Sequence, residues 1–184
     1  MPTETPIDRL SSFRLGDVRG IYPNEINEDF VHKFAQSLVG LFNLKGKIVT
    51  GRDMRASSAP LQQALNSSLK SIGINVIDIG LVPTELGYFA SAQPGIEAAI
   101  IVTASHNPSN YNGLKCVLKK GEAITVDTGL NDIKSKMLEG YQHPIKAGSI
   151  EQLDFRDSYM AFLETQFQQD QLAGGRIALN GLNG

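Results

Sequence analysis

The chain has 184 residues, 41% of them hydrophobic and 20% charged, with a formal net charge of −2. That is enough apolar material for one ordinary globular domain with a packed core. The charge is mixed and unclustered, which excludes a nucleic-acid or membrane partner recognised through a basic or acidic block, and no apolar run approaches the ~20 residues a membrane-spanning helix needs.

At the N-terminus, MPTETPIDRLSSF has no basic stretch followed by an apolar one, so no secretory signal is read there. The segment NEDFVHKFAQSLVGLFN sets Phe30, Val31, Phe34, Leu38, Leu41 and Phe42 on one helical face, with Asn27 as N-cap. KGKIVTG reads as a short buried strand. SSAPLQQALNSSLKSIG spaces Leu61, Ala64, Leu65, Leu69 and Ile72 for a helix, with Pro60 in the first turn and Gly73 just past the end. INVIDIG is a second strand, TELGYFASAQ a short helix and EAAIIVT a third strand. GLKCVLKKGEAITV reads as an edge hairpin turning through Lys120 and Gly121, and DTGLNDIKSKMLEG as a helix. YQHPIKAGSIEQL reads as a linker. DFRDSYMAFLETQF follows as a helix with Phe155, Tyr159, Phe162, Leu163 and Phe167 on one face, and GRIALNGLNG as a new strand breaking into a glycine-rich turn.

Alternation of strand and helix predicts an α/β fold whose mainly parallel, mixed sheet is flanked by helices. Residues 1–150 are expected to form this domain, and residues 151–184 a connecting helix plus the first strand of a second, incomplete α/β domain. Ligands of such sheets gather outside the carboxyl ends of the strands. Three polar loops lie there: GRDMRASS, GLVPTE and ASHNPSNYNG. The single cysteine, Cys116, has no internal disulfide partner, which fits a reducing cytoplasm. It reads as core packing. His32, His106 and His143 are dispersed, and no Cys/His spacing matches a zinc site.

The densest group of polar side chains is TASHNPSNYNGLK, residues 103–115. A serine hydroxyl is a poor nucleophile until it is activated or carries a phosphate. The G-x-S-x-G hydrolase pattern is absent around Ser105, and in an extended segment His106 points away from it, which argues against a Ser–His hydrolytic pair. From composition alone, Ser105, Asn107, Pro108, Ser109, Asn110 and Gly113 are turn formers.

Their order adds more. TASHNPSNYNGLK closely resembles the active-site loop of the α-D-phosphohexomutases, in T-x-S-H-N-P, in the Y-N-G-x-K that follows, and in their spacing. FRLGDVRG is similar to that family's F-x-x-Y-D-I-R-G, and GRDMRASS to its G-x-D-x-R-x-S loop. The bacterial phosphomannomutase/phosphoglucomutase branch looks nearest, and DIGLVPTELGYFA and DTGL also look like its phosphomannomutases. One departure is Gly16, where the branch usually has tyrosine.

The resemblance implies a cytoplasmic enzyme acting on a phosphosugar. A phosphoserine at Ser105 exchanges its phosphoryl group with hexose 1- or 6-phosphate through a hexose 1,6-bisphosphate. Phosphoryl transfer depends mainly on positioning and charge neutralisation. By the same resemblance, Lys115 acts on the transferring phosphate or assists proton transfer, Arg19 contacts the phosphoryl group or orients the loop, and His106 contacts substrate or assists proton transfer. Read as residues alone, Lys115 is a solvated strand-end lysine, Arg19 an ion-pair partner of Asp17, and His106 a structural histidine. Arg52, Asp53 and Arg55 read as a network bracing the loop, while Asn107 and Asn112 hold its shape. Mg²⁺ is the implied metal, bound through the Ser105 phosphate and three aspartates of a second domain. No D-G-D-G-D-R loop occurs in these residues, so the chain alone is expected to be inactive. The competing reading is a non-catalytic α/β binding module that keeps the serine loop without its chemistry.

Overall fold

The computed structural model describes residues 12–139, 146–167 and 174–178. Its sheet has six strands: β1 (Val18–Ile21), β2 (Lys47–Arg52), β3 (Asn75–Leu81), β4 (Ile96–Val102), β5 (Tyr111–Leu118) and β6 (Ile150–Gln152). They lie in the order β1-β5-β4-β2-β3-β6. Strands β4, β2, β3 and β6 run parallel, and β5 runs antiparallel to β4 on one side and β1 on the other. The expected mainly parallel, mixed sheet is what forms.

Among the described residues, five α-helices accompany the sheet: α1 (Glu28–Phe42), α2 (Ser58–Ser71), α3 (Thr84–Ser91), α4 (Asn131–Glu139) and α5 (Arg156–Glu164). The Asn27 side chain accepts from the Phe30 amide and caps α1, satisfying a donor the helix cannot use. Neighbouring residues in the central strands serve opposite faces. Ile48 and Ile100 join Phe34, Leu38, Leu65 and Leu114 beneath α1 and α2, while Val49 and Ile101 join Ile77, Leu86 and Val117 beneath α3. Burial on both sides is why β2 and β4 read as continuous apolar runs rather than alternating ones.

Several sequence expectations change. FRLGDVRG contributes β1, which lies outside β5, so β5 is not the edge strand. Tyr111, Asn112 and Gly113 belong to β5 rather than to a turn. Gly113 is there because of close approach: a Cβ would sit 2.0 Å from the Val18 carbonyl oxygen and 3.0 Å from that of Thr103. The hairpin through Lys120 and Gly121 shrinks to a 3₁₀ turn at Lys119–Gly121 and one antiparallel bridge from Val117 to Ala123. The expected linker contains β6, whose residues pair with Val76–Asp78. Phe155 and Tyr159 then pack against the α3-side cluster, and Phe89 meets the rings of Tyr159 and Phe162. Sheet and helix contacts thus carry this layer past the boundary expected at residue 150. The expected final strand does not form over residues 174–178; residues 179–184 and His143 lie outside the described residues.

Candidate active site

The serine loop, residues 103–110, links β4 to antiparallel β5 at the sheet edge where β2, β3 and β4 have their carboxyl ends. Ser105 is exposed at its tip with φ 55°, a left-handed conformation uncommon for a residue with a side chain. Its amide donates to Thr103 Oγ1 at 2.9 Å, and the Asn107 amide closes the turn on the Ala104 carbonyl at 3.1 Å.

Because the segment is not extended, Ser105 and His106 face the same way, with Oγ and Nδ1 2.9 Å apart. This corrects the expectation that adjacency separates them. Among the described residues no carboxylate orients the other ring nitrogen, so a hydrolytic triad is not assembled.

Arg19 stands in β1 opposite Gly113 and does two things. Its Nε donates to Asp17 Oδ2 at 2.8 Å, and Nη1 donates to Asn107 Oδ1 at 3.0 Å. The ion pair with Asp17 is therefore present, and a second bond ties the same guanidinium to the loop residue Asn107. With one quarter of its side chain exposed, Arg19 keeps a cationic group beside the loop. Asn112 is fully buried: its amide nitrogen donates to the Ser57 and Ser58 hydroxyls, and its oxygen accepts from the Gly113 amide. Arg55 reaches across from the β2–α2 connection, donating to the carbonyl oxygens of Ser105, Asn107, Pro108 and Tyr111. Asp53 holds the Arg55 Nε at 3.2 Å and also accepts from Ser58 Oγ.

Two expected site residues stand apart from this group. Lys115 rests its ammonium over the Tyr88 ring, 5.7 Å from the centroid, and has no hydrogen bond to Ser105 among the described residues. The Arg52 guanidinium donates to the carbonyl of neighbouring Asp53, at 3.4 Å, and has no hydrogen bond to the serine loop among the described residues. The third polar loop meets the Arg52 backbone through the Val82 amide. Sequence reasoning did not assign partners to Tyr88, Ser57, Ser58 and Thr103. The first lies in the helix after that third loop, Ser57 is the serine of the G-x-D-x-R-x-S pattern, and Ser58 follows it. Cys116 is buried, and its thiol is pushed up by burial and then by the charge of Asp17, which leaves it unreactive.

The family described as phosphoglucomutase/phosphomannomutase, alpha/beta/alpha domain I, matches residues 10–143. The chain belongs to the phosphoglucomutase/phosphomannomutase family. It is 39% identical over 155 residues to a phosphomannomutase of Klebsiella pneumoniae, covering 83% of this chain and 98% of that one. A phosphomannomutase of Escherichia coli is 39% identical over 158 residues, 84% of this chain and 34% of its own length. Among solved structures, a phosphoglucomutase/phosphomannomutase family protein from Burkholderia thailandensis superposes with TM-score 0.76 at 29% identity, covering 88% of this chain and 37% of the other. The chain thus spans about a third of the length of the Escherichia coli relative. The family match includes Arg19, the Arg55 loop and the whole segment from Thr103 to Lys115, and ends before β6.

Proposed function

We propose that this chain is the phosphate-carrying domain of a phosphomannomutase/phosphoglucomutase that interconverts hexose 6-phosphate and hexose 1-phosphate. The observation that carries this reading is Ser105 itself, exposed at the loop tip, with its Oγ 2.9 Å from His106 Nδ1 and Arg19 anchored on the same loop.

In the proposed step the bond between phosphorus and Ser105 Oγ breaks while a sugar hydroxyl oxygen bonds to phosphorus. The serine oxygen leaves with an electron pair and takes a proton from His106 Nδ1; in the reverse step the nitrogen takes it back. The sugar hydroxyl passes its own proton to solvent as it attacks and regains one in the reverse step, while the Lys115 ammonium, once it leaves Tyr88, acts on the transferring phosphate from the β5 side. Arg19 offsets the charge on the transferring group. Each turnover passes through a hexose 1,6-bisphosphate, which returns its other phosphate to Ser105. Such chemistry depends chiefly on positioning and electrostatic stabilisation.

The described residues do not make the Mg²⁺ site that the resemblance implies. They contain no group of three or more His, Cys, Asp or Glu side chains, and the carboxylates nearest the loop, Asp17 and Asp53, are committed to Arg19 and Arg55. A phosphate on Ser105 would offer one hard oxygen, and we assign the remaining ligands to the part of the full-length enzyme that a domain of this size does not include. On that assignment the chain alone is inactive, and the connection to the second domain comes after β6 and α5, which pack on this layer. No helix among the described residues is long and apolar enough to cross a membrane. The family resemblance, separately, supports our assignment of the enzyme to the cytoplasm.

The test is mutase activity of the full-length protein carrying Ser105→Ala, assayed with mannose and glucose phosphates and the matching 1,6-bisphosphate. The proposal requires activity to be lost; a variant with normal turnover refutes it.

A further inference from the structure

We infer that Arg55 is the residue that holds Ser105 in its left-handed backbone conformation, and so positions the serine hydroxyl. A guanidinium has five N–H donors in a fixed planar fork. Here every one is used. Nε goes to Asp53 Oδ2, Nη1 to the Pro108 and Tyr111 carbonyls at 2.6 and 3.1 Å, and Nη2 to the Ser105 and Asn107 carbonyls at 3.0 and 2.7 Å. Four carbonyl oxygens from seven consecutive residues therefore point at one cation. Without it their dipoles meet negative end to negative end, and the Ser105 peptide is no longer held against its return to the right-handed region.

The placement of those bonds makes Ser105 the affected residue. Clamping the Ser105 carbonyl fixes the peptide plane that follows Ser105, the Ser105 amide tied to Thr103 Oγ1 fixes the plane that precedes it, and the Asn107 carbonyl holds the next turn of the loop. Between these anchors Ser105 takes φ 55°, a conformation disfavoured for a residue with a Cβ. The clamp is built from below: the Asp53 carboxylate takes the Arg55 Nε and backbone amide, and the Ser58 hydroxyl bonds both Asp53 and buried Asn112. Lysine has three donors on a single point, so it cannot satisfy this set. The consequence for catalysis rests on the phosphoserine reading above; the conformational claim does not.

The experiment compares Arg55→Lys by amide hydrogen exchange in two backgrounds of this chain, one with Ser105 intact and one already carrying Ser105→Gly. Glycine adopts positive φ freely, so a clamp acting on Ser105 becomes dispensable once residue 105 is glycine. With Ser105 intact, exchange at the amides of residues 105 and 107 is expected to quicken roughly tenfold or more, with β4 and α1 unchanged. In the Ser105→Gly background the same substitution is expected to change them less than about threefold. Equal acceleration in both backgrounds, or none in either, overturns the inference. Asp53→Asn, which keeps the fork and weakens its anchor, repeats the comparison if Arg55→Lys does not fold. In the full-length enzyme Arg55→Lys is expected to lower kcat by about 100-fold with KM little changed, because a displaced nucleophile affects the transfer step. Fast exchange with kcat intact overturns the positioning role, whereas an active Ser105→Ala enzyme overturns the phosphoserine reading and leaves the exchange result standing.

Discussion

Ser105 Oγ and His106 Nδ1 lie 2.9 Å apart although the two residues are adjacent in sequence. In a strand such neighbours project to opposite faces. The positive φ of Ser105 turns them to one side, at an exposed loop tip and at the carboxyl edge of a parallel sheet. Backbone conformation thus creates the oxygen–nitrogen pair on which the proposed proton exchange depends, and Arg55 reaches that backbone from 50 residues away.

That conformation carries a measurable cost. Ser105→Gly is expected to be more stable than Ser105→Ala by about 1 kcal/mol, since alanine keeps the Cβ that disfavours positive φ and glycine does not. Urea unfolding of the two variants measures the difference. Equal midpoints contradict a strained residue 105.

Gly113 and Gly16 are expected to respond oppositely to alanine. At Gly113 a methyl group would meet backbone oxygen atoms of β1 and of the β4 end, which cannot swing aside, so a loss of at least about 2 kcal/mol is expected. Around Gly16 a Cβ meets nothing within 4 Å, and the change should stay within about 0.5 kcal/mol. Thermal and urea unfolding of both variants checks the contrast.

Asn112 is a buried connector rather than a substrate ligand. Its replacement by alanine leaves the Gly113 amide without its acceptor and the Ser57 and Ser58 hydroxyls without a donor. A loss of roughly 2–3 kcal/mol is expected, read as a lower urea midpoint at unchanged m. A neutral result contradicts the assigned role.

Cys116 should resist thiol reagents in the folded chain at pH 8 and react once unfolded, because burial disfavours its thiolate. The sign for stability follows. Below the ordinary thiol pKa of about 8.5 both states are protonated, and the group contributes no pH dependence. Above it the unfolded chain releases a proton that the folded chain keeps, so stability falls as pH rises from there. Cys116→Ala should flatten that alkaline slope in urea titrations.

Much of this architecture was legible because it follows local rules. Asn27 caps α1 as its side chain predicts, and the apolar spacing of α2 and the buried runs of β2, β3 and β4 appear where periodicity puts them. What escaped was set by pairing across the chain. Four-residue β1 and three-residue β6 are too short to show a pattern, and exist as strands because β5 and β3 offer them an open edge. The site divides in the same way. Residue types and order marked Ser105, Arg19 and Arg55, but the left-handed turn at Ser105 could not be read from residues that also suit ordinary turns. Nor could the resting place of Lys115 over Tyr88, which depends on α3 folding back against β5.

The central claim is that Ser105 carries the phosphate, and the most direct measurement is intact-mass analysis with phosphopeptide mapping of the full-length enzyme. The sample is incubated with hexose 1,6-bisphosphate and then chased with excess hexose 6-phosphate. The account predicts a single added phosphate, located on Ser105, absent from Ser105→Ala, and removed by the chase. Phosphate on another residue, or none on Ser105 in an enzyme that turns over normally, contradicts it.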